Sequence, residues 1–262
     1  MAVGDQERER VADVISLELR GAGPQDVPQR LCDAVLKLLP VSGASVSLVG
    51  DGMPVPLGAS GGRAAYVMEM QVSLGDGPCL EAAETGSVVV APDLTSDRDA
   101  VRWPVYAQQA AAAGVRSVYA LPLGDRAVCV GTLDLYRDVP GELAGDEVRT
   151  ARMVADVVTA ALVALPRAGR SGGEGGEGGA DGSDGGDGGD GADSAGLWLS
   201  PLATDHGEVY RAVGMVMAQL GVGADEALAR LRGQAFAKGR SVLELAHEVV
   251  AQRTRFDDDS TV

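Results

Sequence analysis

The chain has 262 residues, 45% hydrophobic and only 3% aromatic, room for one domain of ordinary size and one small one. Its formal net charge of −16 argues against a nucleic-acid surface spread over the whole molecule, because phosphate backbones reward lysine and arginine. The longest apolar run, Val154 to Leu165, is too short to cross a bilayer, and MAVGDQERER puts charges where a secretion signal needs an apolar core, so a cytoplasmic protein without a membrane partner is expected.

Residues 11 to 39 carry apolar positions at helical spacing, VADVISLEL and then VPQRLCDAVLKLL, broken at GAGP, which predicts two helices. ASVSLVG alternates over a strand length, and after the turn DGMP a second strand, VPLGAS, completes a hairpin. GDGPCLEAAETG opens as a turn and continues as a short helix. SVVVAPDL reads as a strand, and RWPVYAQQAAAAG as an alanine-rich helix stopped by Gly114. VRSVYALPL and RAVCVGTLDLYR form a second hairpin, and a long amphipathic helix runs from about Gly145 to Leu165. An antiparallel sheet of five or six strands with flanking helices is an α+β architecture.

The stretch SGGEGGEGGADGSDGGDGGDGADSAG, Ser171 to Gly196, has too much backbone entropy and too few apolar groups to order, so it reads as a disordered Gly/Asp-rich linker. At this length its r.m.s. span is roughly 30 Å. Three helices follow. Ser200 before Pro201 is a candidate N-cap, Val209, Val213, Val216, Met217 and Leu220 share one face, and Gly221 ends the first helix. Leu228, Leu231 and Ala235 stripe the second. Ser241 and Glu244 make a capping box for the third, which buries Val242, Leu245, Ala246, Val249 and Val250. The expected division is 1–166, linker 167–196, helical domain 197–256 and acidic tail 257–262.

Charge is unevenly shared. Ala195 to Phe256 nets +1, whereas the segment Arg167 to Ser194 nets −5 and Asp257, Asp258 and Asp259 add −3. The last domain can therefore meet an anion. Cys32, Cys79 and Cys129 are far apart and lack CxxC or histidine partners, which predicts buried thiols, no metal site and no catalytic residue. On the helical domain, Arg211, Gly214, Met215 and Ala218 present a low-relief surface. Arg232 and Phe236 lie four apart, and Lys238 and Arg240 follow at the turn. A ring beside guanidinium groups suits stacked, unpaired bases and their phosphates.

Two resemblances sharpen this. The order helix, hairpin, GPCLEAAETG, strand, helix, SVYALPL and VGTLDLY resembles a GAF domain over most of residues 10 to 166. It implies a small-ligand or redox sensor and dimerisation module, with a pocket near Cys79, Trp103, Arg116 and Tyr119. The Asn-Lys-Phe-Asp-Glu motif of cyclic-nucleotide-binding members is missing; Tyr136, Arg137 and Asp138 stand there. Residues VYRAVGMVMAQLGVGADEALARLRGQAFAKGRSVLELAHEVV resemble the ANTAR domain. That resemblance implies a three-helix RNA-binding module that recognises stem-loop hairpins in transcription antitermination, commonly as a homodimer. Carried onto this chain, its RNA face is Arg211, Ala212, Gly214, Met215, Arg232, Phe236, Lys238 and Arg240. No cofactor is identified beyond an unknown small-molecule GAF ligand. A DNA-binding regulator, a sensor acting through protein partners, and a methionine sulfoxide reductase are the rival readings.

Overall fold

Strand alternation gives the larger domain two unlike interiors. The structure, a computed structural model, describes residues 2–50, 53–124, 128–164 and 201–256. The expected linker (167–196) and acidic tail (257–262) lie outside the described residues. Five strands, β1 (Gly43–Gly50), β2 (Met53–Ala59), β3 (Val89–Ala91), β4 (Ser117–Gly124) and β5 (Cys129–Arg137), form one sheet in the order β2-β1-β5-β4-β3, with antiparallel neighbours.

On one face Ala44, Val46, Tyr119, Leu121, Leu133 and Leu135 pack beneath α1 (Ala2–Glu18), α2 (Val27–Leu38) and α7 (Gly145–Ala164). The opposite face lies under α3 (Gly62–Leu74), α4 (Pro78–Thr85), α5 (Asp97–Arg102) and α6 (Pro104–Ala112). There β1 and β5 present Ser45, Ser47, Thr132, Asp134 and Tyr136, all buried. The expected α+β architecture is present. Two helices were not expected. In α3 the buried stripe Val67, Met68 and Val72 contains Gln71, a polar residue that interrupts the apolar pattern. The other, α5, has only six residues and starts where the Ser96 hydroxyl accepts from the Asp99 N–H.

The smaller domain consists of α8 (Pro201–Leu220), α9 (Ala224–Ala237) and α10 (Val242–Val250) around Val209, Val216, Leu231, Leu245 and Val249. Gly221 ends α8 in the left-handed region, φ 66°, where its N–H reaches the Met217 carbonyl. Both bonds of the Ser241–Glu244 capping box form. Of the expected stripe, Met217, Leu220, Leu228 and Val250 are only half-buried, because the interior is completed by Ala212, Ala227 and Phe256. The domain sits against the larger one, α8 along the edge strand β2, α9 and α10 on α3. An edge strand covered in this way is closed to foreign strands.

Candidate functional site

The polar interior is built around one carboxylate. Asp134 lies on β5 opposite Ser45 of β1 and is 1% exposed. Its Oδ2 accepts from Gln71 Nε2 at 3.0 Å and from the Tyr136 hydroxyl at 3.3 Å. Since Tyr136 donates its only proton there, the Ser45 hydroxyl donates to Tyr136, at 2.7 Å. Gln71 is held from its other end, where Oε1 accepts the Cys79 N–H at 2.8 Å. Desolvation raises the Asp134 carboxyl to about 7, against the stabilising bonds from Gln71 and Tyr136. Asp134 Oδ1 and the Tyr106 hydroxyl are buried without a partner among the described residues. An open acceptor and an open donor in one interior are the groups a small polar guest would use.

The four residues expected to line one pocket do not do so. Cys79 at the start of α4 and Trp103 between α5 and α6 lie on the polar-interior side. Trp103 carries the Arg102 guanidinium on its ring, 4.0 Å from the centroid. Tyr119 points to the opposite face, as its alternation with the neighbouring Val118 requires, and its hydroxyl donates to the Gly141 carbonyl. Arg116 is tied at the start of β4 to Asp93 (3.1 Å) and Thr95 (2.9 Å). Tyr119 instead borders a mostly apolar cleft of about 300 Å³ with Val88, Val90, Leu121 and residues of α7. Among the three thiols, burial pushes Cys32 and Cys79 up, and Cys129 is half-buried.

On the smaller domain the expected nucleic-acid residues divide three ways. Arg211, Gly214, Phe236 and Lys238 are exposed, with Phe236 at 64% and open space beside Gly214. Arg211 pairs with Glu208 at 2.7 Å, and the half-buried Arg240 with Glu248 at 2.6 Å. Met215 is half-buried. Ala212 is a correction: at 0% exposure it belongs to the core, where its small side chain lets α8 approach its neighbours. Arg232 is turned toward the larger domain, where its Nε donates to the Val72 carbonyl at 3.2 Å. Its Nη2 is buried without an acceptor among the described residues, and desolvation lowers its pKa.

Gln71, Asp134 and Tyr106 were not singled out from the sequence, and Tyr136 was named only as standing where the cyclic-nucleotide motif is missing. The available signal was Asp134, a lone acid inside the apolar strand TLDLY.

An antiparallel sheet domain with a polar interior is followed by a small helical domain with an exposed ring and cations, and the matches to known families make this a regulator with a sensory domain. The chain belongs to the GAF domain family, whose model matches residues 24–162, and it carries an ANTAR domain over residues 203–250. It is similar to the GAF domain of an Acinetobacter phosphoenolpyruvate-protein phosphotransferase, at 12% identity and TM-score 0.46, over 61% of this chain and 92% of that one. It is also similar to a type II free methionine-R-sulfoxide reductase from Thermoplasma acidophilum, at 15% identity and TM-score 0.41, over 53% and 90% of the two chains. No curated protein matches it. Among the described residues no helix is long and apolar enough to cross a membrane.

Proposed function

We propose that the protein is a signal-responsive, RNA-binding transcription antitermination regulator. Its GAF domain takes up a small-molecule or redox signal, and its ANTAR domain binds RNA stem-loops through unpaired loop bases. The observation that carries this reading is Phe236, a ring 64% exposed on α9 in the ANTAR domain. Lys238 follows it in the next turn, and α8 carries the open Gly214 beside Arg211. A surface phenylalanine gains little in water, but a splayed base stacked on it gains about 1–3 kcal/mol. The remaining surface contributors are Met215, Arg240 and, once accessible, Arg232. Ala212 acts from the core by setting the height of α8.

The reductase reading has less support. Such chemistry needs a thiolate, and burial pushes Cys32 and Cys79 away from that form. Antitermination follows if the bound form of a nascent transcript is the one that excludes a terminator hairpin. Phe236→Ala in the full chain is expected to weaken binding to a tandem stem-loop RNA at least fivefold, with the fold retained by circular dichroism. Unchanged affinity would remove the stacking role and the reading built on it.

A further inference from the structure

The last turn of α3 touches both domains. Inside, Gln71 joins Asp134 of β5 to the first turn of α4. Outside, the next residues receive the ANTAR domain: the Val72 carbonyl takes Arg232 Nε at 3.2 Å, and the Ser73 hydroxyl takes the Val242 N–H at 3.1 Å. Gly75 closes α3 in the left-handed region, φ 66°, and a Cβ there would stand 2.5 Å from Arg232 Nη1. Absence of a side chain at Gly75 is therefore what lets the guanidinium come this close to the helix end. A helix C-terminus carries partial negative charge, and Asp76 follows immediately in sequence. To Arg232 this end resembles a phosphate group.

We propose that the C-terminal turn of α3 is a docking site for the ANTAR domain that competes with RNA for Arg232. This rests on the RNA-binding reading above, and it adds how that binding is restrained. The contact is incomplete in a way that suits a reversible restraint. Arg232 brings five N–H donors to a site where Nη2 is buried with no acceptor among the described residues. Phosphate oxygens satisfy such donors in pairs, which one backbone carbonyl cannot do. RNA thus offers Arg232 a better set of acceptors, while docking has the advantage of being intramolecular. Because Gln71 belongs to the same turn, a change in the polar interior has a direct route to the docking site.

Gly75→Asn tests this from the side that RNA does not touch. Asparagine tolerates the left-handed region, and the group its Cβ displaces is the flexible tip of Arg232 rather than backbone. Ser73→Ala is the second variant, deleting the acceptor for Val242. The Val242 N–H is the first of α10, so no carbonyl of that helix protects it. In the full wild-type chain its hydrogen exchange is expected to be slow, and clearly faster in both variants. Unchanged exchange would overturn the docking contact, whatever RNA does. In the same chains, affinity for a tandem stem-loop RNA should rise roughly five-fold or more, the range of an ordinary coupling between sites. Faster exchange with equal or weaker RNA binding would overturn the competition. If none of the three chains binds that RNA while exchange responds as expected, the RNA-binding reading fails and the competition falls with it, but the docking contact stands.

Discussion

Asp134→Asn should make the protein more stable, and increasingly so as pH rises. The native carboxyl is raised from 3.8 to about 7 by burial, so the folded state holds its proton more tightly than the unfolded chain does. The unfolded chain releases that proton near 3.8 and the folded one near 7, so stability falls as pH rises through this window and is level above it. A raised carboxyl of this size costs about 4 kcal/mol of stability above neutrality and about 2 kcal/mol at pH 5. Asparagine has no proton to lose, its oxygen can still accept from Gln71, and its amide nitrogen replaces an Oδ1 that has no donor among the described residues. The stability difference between variant and wild type should therefore grow by roughly 2–3 kcal/mol from pH 5 to pH 8. Urea unfolding followed by the fluorescence of buried Trp103 measures it, in a Trp198→Phe background that removes the other of the chain's 2 tryptophans. Comparing the two proteins at each pH cancels the other titrating groups. A difference that stays flat between pH 5 and pH 8 would refute the reasoning.

Thiol reactivity separates the cysteines: at pH 8 a disulfide reagent should modify half-buried Cys129 first, with Cys32 and Cys79 reacting only as fast as the domain opens. Immediate reaction of all three would contradict the burial that raises two of them. Ser241→Ala removes the acceptor for the Glu244 N–H and half of the capping box, and should cost the ANTAR domain about 1 kcal/mol. For a domain of this size that is a fall of roughly 4–8 °C in its melting transition, and a shift below one degree would show the cap to be dispensable.

Much of this architecture is written in periodicity. The strands around Ala44, Val46, Leu133 and Leu135 alternate, and the helices carrying Val154, Val216 and Leu245 keep one apolar stripe each. The polar interior was hidden for the same reason. Ser45, Ser47, Thr132 and Asp134 alternate with apolar neighbours, which reads as a strand with a wet face, yet helices cover that face. Helix α3 was hidden because Gln71 occupies a stripe position for its bonds to Asp134 and Cys79 rather than for apolar burial. Tyr119 went to the wrong pocket because VYALPL is apolar on both faces and gives no sign of which one a residue joins. Arg232 was legible as a cation beside Phe236, but its place on Val72 depends on a contact across 160 residues that no local pattern carries.

The central claim is that the exposed ring and cations of the ANTAR domain read unpaired RNA bases. The most direct test is a competition binding assay with the full chain, setting a tandem stem-loop RNA against duplex DNA and against the same RNA annealed to its complement. Preference for the free stem-loops over both duplexes, lost in Phe236→Ala, is the predicted result. Equal or tighter binding to duplex DNA would contradict it and make the protein a regulator of another kind.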